Sequence, residues 1–122
     1  MKLLLDINVV LDIVLARPPW AREAALLFAE IVRGRAEGLR RRTHRDTVFY
    51  ITAKASGRQV AAQAVSDLLR IVDVVAIERA DLQQALGLGI PDFEDAVQVV
   101  AGLKVGVDHL VTRDAKDSGE RR

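Results

Sequence analysis

The sequence predicts an α/β fold in which helices cover both faces of a central parallel sheet. Three observations predict it. Short apolar or β-branched runs alternate with helical patterns along the chain. The first run, Leu3-Leu4-Leu5, is apolar without a break, as suits a strand buried on both faces in the middle of a parallel sheet. The 122 residues, half of them hydrophobic, suffice for a single core and argue against disorder.

Taken in order, residues 2–5 form the first strand and end at Asp6. Asn8 is expected to cap a helix whose stripe is Val9, Val10, Ile13 and Val14, and Arg17-Pro18-Pro19 breaks it. Residues 20–33 carry Ala24, Leu27, Phe28 and Ile31 on one helical face, with Gly34 as the stop. Residues 37–46 stand where a second strand is due, yet Leu39 is the one apolar side chain among them. The helical pattern resumes at Thr47 through Val48, Phe49, Ile51, Thr52 and Ala55, stops near Gly57, and returns over residues 59–70. Residues 71–77 are β-branched and strand-like, and residues 79–88 are helical up to the region of Gly87 and Gly89. Pro91 opens a helix reaching about Lys104, rich in Val and Ala nearly all round and therefore expected against the sheet. Residues 108–112 form the last strand. Residues 1–117 are expected to be one domain, and residues 118–122 a polar tail.

The net charge of +1 does not by itself imply a nucleic-acid partner. Its distribution says more: six arginines and one acid, Glu37, fall between Arg33 and Arg45. That run reads either as a solvated loop or as a patch that attracts phosphate. The absence of cysteine excludes disulfides, zinc–thiolate sites and cysteine nucleophiles, and it fits the reducing cytoplasm, the expected location. The apolar run before Asp6 is too short for a signal peptide, and no stretch approaches the roughly 20 apolar residues of a membrane span. Ser56, Ser66 and Ser118 have no convincing His and acid partners for a triad.

The candidate chemistry lies in the acids. Asp6 ends an apolar strand, where a carboxylate either caps the next helix or serves a site. Asp92, Glu94 and Asp95 open the buried helix. One acid would suffice for capping; three suggest a further task. Asp114 follows the last strand, as a turn residue or as a site residue, and Asp6 and Asp114 are candidates for the same sheet edge. Several carboxylates brought together repel unless a cation lies between them. With His44 and His109 the only histidines, the ligands are hard oxygens, which favours Mg²⁺ or Mn²⁺ over Zn²⁺.

These residues carry a resemblance. Leu3-Leu4-Leu5-Asp6-Ile7-Asn8-Val9-Val10-Leu11-Asp12 resembles the opening of PIN domains, Pro91-Asp92-Phe93-Glu94-Asp95-Ala96 their third acidic site, and Leu110-Val111-Thr112-Arg113-Asp114 their fourth. The resemblance implies a PIN-like three-layer α/β/α fold around a parallel sheet, with the last strand missing or shortened. It implies a Mg²⁺- or Mn²⁺-dependent ribonuclease like the VapC toxins of toxin–antitoxin pairs. Asp6, Asp95 and Asp114 would then be catalytic and hold metal, with Asp92 assisting as a further residue of the metal site. An antitoxin protein and a second copy of the chain would be partners, and RNA the substrate, met by Asn8, Arg41, Arg42, Arg45 and Arg113. The chain departs from the family pattern at Ile7, where a Thr or Ser is usual, and at Arg41-Arg42-Thr43-His44-Arg45, where hydroxyl-rich text is usual. Asp46 is the acid nearest the position of the family's Glu at the start of the third helix.

Two other classes compete. One is a PIN-like domain that binds RNA or an antitoxin without cleaving. The other is a receiver-like phosphoacceptor, which needs adjacent acids early in the chain and an Asp after a central strand. Asp6 has no adjacent acid, and Asp73 precedes the core of its strand rather than following it.

Overall fold

Strand β1 (Lys2–Leu5) is flanked on one side by β2 (Glu37–Arg41) and on the other by β4 (His109–Val111), and β3 (Val72–Val75) lies beyond β2. All neighbouring strands are parallel, in the order β3-β2-β1-β4. This arrangement comes from a computed structural model that describes residues 1–42 and 46–112. The central place of β1 explains its unbroken apolar text, because both of its faces meet helices.

Side chains alternate across a strand, so β1 serves two cores. Leu3 and Leu5 join Val10, Leu11, Phe28, Ile31, Val48 and Leu68. These come from α1 (Ile7–Val14), α2 (Ala21–Val32), α3 (Thr47–Ser56) and α4 (Arg58–Ile71), which form one outer layer. Leu4 faces the other way, with Leu39, Val75 and Ala101. Ala101 belongs to α6 (Phe93–Val105), which packs with α5 (Arg79–Leu86) through Ala85, Ala96, Val97 and Val100. The result is the three-layer α/β/α sandwich that the sequence implied, with four strands among the described residues.

Two details differ from the sequence reading. Asp6, not Asn8, is the N-cap of α1: its Oδ2 accepts from the Asn8 N–H at 3.0 Å, and the helix begins at Ile7. Asn8 thus lies inside the first turn. Residues 37–41, which looked unlike a strand, form β2 because ladders are available on both sides, Leu39 pairing with Leu4 of β1 and with Asp73 of β3. Alternation then disposes of the charges. Leu39 faces the α6 layer, so Arg40 faces the other one, where it is 8% exposed and neutralised by Asp46 at 3.2 and 3.3 Å. Gly38 shares that face, and a Cβ there would lie 2.7 Å from Ile31 Cδ1, so the glycine lets α2 approach the sheet.

Helix α6 is fixed at both ends. Asp92 caps it, accepting from the Asp95 N–H at 3.1 Å, and Glu94 and Asp95 in the first turn suit the helix dipole. Gly106 ends it in the left-handed conformation, φ 67°, which costs glycine nothing. In the last turn Lys104 donates to the Ala76 carbonyl at 3.0 Å, Glu78 at 3.2 Å and Asp81 at 2.9 Å, tying α6 to the start of α5.

That clamp has a pH signature. The Glu78 N–H first, and Lys104 second, hold the Asp81 carboxyl below its ordinary value. The hydrogen bond to Asp81, reinforced by Glu78, holds the Lys104 ammonium above its own value. A lowered carboxyl contributes stability that is present above its unfolded value of about 3.9 and lost as pH falls through the folded one. A raised ammonium contributes stability that is full below about 10.4 and lost as pH rises through the folded one. Lys104→Met is therefore expected to lower the melting temperature by a constant amount across neutral pH. The difference from the native chain should shrink at both extremes, which a series of thermal melts between acid and alkali checks.

Candidate functional site

Parallel strands place their carboxyl ends on one edge, and in this sheet the strand order reverses between β1 and β4. Ligands of open α/β sheets bind outside that edge, at such a switch point. Asp6 stands there, directly after β1, and its N–H donates to the Val111 carbonyl of β4 at 2.9 Å. Helix α6 leads back into β4, so its N-terminus, with Glu94 and Asp95, opens at the same edge. Between these parts lies a cleft of about 880 Å³, lined by Asp6, Asn8, Arg40, Arg41, Arg42, Glu94 and Asp95 among others.

Asp6 and Asp95, 89 positions apart in the sequence, are thus brought to one cavity, together with Asn8, Arg41 and Arg42. Capping uses Oδ2 of Asp6. A carboxylate offers about four acceptor sites, so capping and ligation are compatible. Asp92 does not line the cleft; its carboxylate caps α6 and so fixes the turn that carries Asp95. Asp114, Arg45 and Arg113 lie outside the described residues.

Two features of the cleft went unread in the sequence. Arg41 shares strand parity with Leu39 and so points to the α6 side, where its Nε donates to Gln98 Oε1 at 2.8 Å and its terminal nitrogen pairs with Glu94. Glu94 and Gln98 are four apart, hence on one helical face. The signal was the alternation in β2, which is readable only once residues 37–41 are known to be a strand. Asp46, second, is not a cleft residue: it caps α3 through the Val48 N–H at 3.2 Å and pairs with Arg40. The three acids of the cleft thus face three arginines, Arg40, Arg41 and Arg42.

The donor chemistry fits a hard divalent cation. Mg²⁺ keeps several waters and needs only one or two carboxylates, and the cleft lining offers those of Asp6 and Asp95 as candidates. Among the described residues, no three of the His, Asp and Glu side chains converge into a fuller cage. Such a donor set, at the switch point of a small parallel α/β/α sandwich, defines an acidic-cleft domain of the kind found among nucleases.

The comparison with known families agrees with that class. A family profile described as "PIN domain" matches residues 2–116, and the chain belongs to the PIN domain family, whose members are generally nucleases. A solved structure described as VapBC2 from Rickettsia felis, bound to a DNA fragment from their promoter, is similar in fold at a TM-score of 0.61. That similarity has 14% sequence identity and covers 95% of this chain and 90% of the other. No curated protein matches the chain in sequence. No helix among the described residues is long and apolar enough to cross a membrane.

Proposed function

We propose that this chain is a metal-dependent endoribonuclease, the toxin of a toxin–antitoxin pair, that hydrolyses RNA phosphodiester bonds. The observation that carries the reading is that Asp6 and Asp95 line one cleft at the carboxyl edge of the sheet. Asp6 and Asp95, with Asp114, would hold Mg²⁺ or Mn²⁺, and Asp92 would assist by fixing the first turn of α6. Such a cation supplies positive charge against phosphate oxygens and acidifies water at the site.

The chain's own residues do the remaining work. Asp6 and Asp95 concentrate negative charge where a cation is wanted. Arg42, exposed at the rim, and Asn8 offer donors to the phosphates on either side of the scissile one. Arg45 and Arg113 are proposed to extend that contact. The likeness to a VapBC2 complex supports an antitoxin protein as partner. A homodimer and a cytoplasmic site of action complete the proposal.

A chelator experiment tests the reading. Purified protein is incubated with a mixed RNA pool in Mg²⁺, in Mn²⁺ and in EDTA. Cleavage in either metal that EDTA abolishes is the expected result; cleavage that persists in EDTA contradicts it. A second reading, a PIN-like domain that binds RNA or an antitoxin without cleaving, is favoured by Ile7, which has no hydroxyl, and by the pairing of Arg41 with Glu94 inside the cleft. RNA retention without cleavage in both metals would establish that reading instead.

A further inference from the structure

Glu94 lines the same cleft as Asp6 and Asp95, and Arg41 holds it. We infer that Arg41 is a positioning residue that withholds Glu94 from the metal site and thereby limits how tightly the cleft takes a divalent cation. This rests on the reading of Asp6 and Asp95 as metal ligands.

Parity in β2 sends Arg41 toward α6, where the guanidinium is fixed at two points one helical turn apart, on Glu94 Oε2 and on Gln98 Oε1 at 2.8 Å. Its side chain is only 18% exposed, whereas that of Glu94 is 69% exposed, so the arginine is the anchored partner and the glutamate the one that would move. A carboxylate engaged by a guanidinium is a poorer ligand, because its charge is already neutralised by the cationic partner. Glu94 and Asp95 both line the cleft, so a released Glu94 offers the site a third carboxylate.

The test is metal binding, measured by Mn²⁺ titration with electron paramagnetic resonance and calorimetry on the full chain, without substrate. Arg41→Met is expected to bind Mn²⁺ on the order of tenfold more tightly than the native chain, in the range by which outer-shell partners tune metal sites. Arg41→Lys, which keeps the charge, should stay near the native affinity. The double variant Arg41→Met/Glu94→Gln should lose the gain, because the released carboxylate is gone. Circular dichroism and melting confirm folding of each variant; should Arg41→Met not fold, Arg41→Gln, which retains a polar head for Gln98, carries the same expectation.

Unchanged affinity in folded Arg41→Met, with native binding that Asp95→Asn abolishes, overturns the role of Arg41 and leaves the metal site standing. A gain that survives in the double variant overturns it too, since simple loss of positive charge would then be the cause. Absence of Mn²⁺ binding in the native chain and in Arg41→Met alike overturns both readings.

Discussion

Asp95→Asn is expected to reduce RNA cleavage at least about 100-fold, more than the outer-shell partners of a metal site are worth, while leaving the fold intact. The Asp92 cap of α6 is spared because the backbone N–H of residue 95, not its side chain, satisfies it, and asparagine is isosteric with aspartate. Asp6→Asn should behave in the same way for a different reason. Its side chain does cap α1, but asparagine caps a helix as well as aspartate does, so the substitution removes charge and keeps the cap. Asp6→Ala removes both, and its activity loss should come with about 1 kcal/mol of destabilisation. Single-turnover cleavage rates beside thermal melts of the three variants check this. Near-native rates in both asparagine variants would remove Asp6 and Asp95 from the site.

Arg17→Met is expected to destabilise the chain by about 3 kcal/mol, lowering its melting temperature on the order of 10 °C. Asp12 is 1% exposed near the end of α1, and the Arg17 Nε donates to it at 3.0 Å. The same guanidinium donates to the Asn8 carbonyl at 3.2 Å, so one side chain binds both ends of a two-turn helix. Removing it takes the cationic partner from a buried carboxylate, which costs more than the pair itself contributes. It also loosens the helix whose first turn Asp6 caps. Asp12→Asn in the Arg17→Met background should recover much of the loss, because the amide carries no charge to strand. Denaturant melts of the single and double variants measure this coupling; additive losses would show that the pair is not the cause.

How much of this was legible in the sequence depends on where its pattern was redundant. The unbroken Leu3-Leu4-Leu5 of β1 and the Val- and Ala-rich α6 could hardly be read otherwise, and they alone imply a sheet covered on both faces. Asp6 and Asp95 were readable as site candidates because each sits where chain geometry meets a parallel sheet's carboxyl edge. Residues 37–41 were not readable. A strand with one apolar residue is made by its neighbours' ladders, and the burial of Arg40 depends on Asp46, six residues away in the sequence. The same long-range dependence hid the partners of Arg41, which lie more than fifty residues downstream on α6. The sequence offered both Asp6 and Asn8 as caps of α1, since both residue types cap well, and the structure places the cap at Asp6.

The central claim is that this cleft hydrolyses RNA with water acidified by a cation held at Asp6 and Asp95. Mass spectrometry of the RNA ends left after cleavage in Mg²⁺ and ¹⁸O-labelled water tests it most directly. Attack by water leaves a terminal phosphate carrying one ¹⁸O and a free hydroxyl on the other fragment. The account predicts those ends with the native chain and none with Asp95→Asn. Ends bearing a 2′,3′-cyclic phosphate, which arise when the ribose 2′-hydroxyl attacks instead, would contradict it.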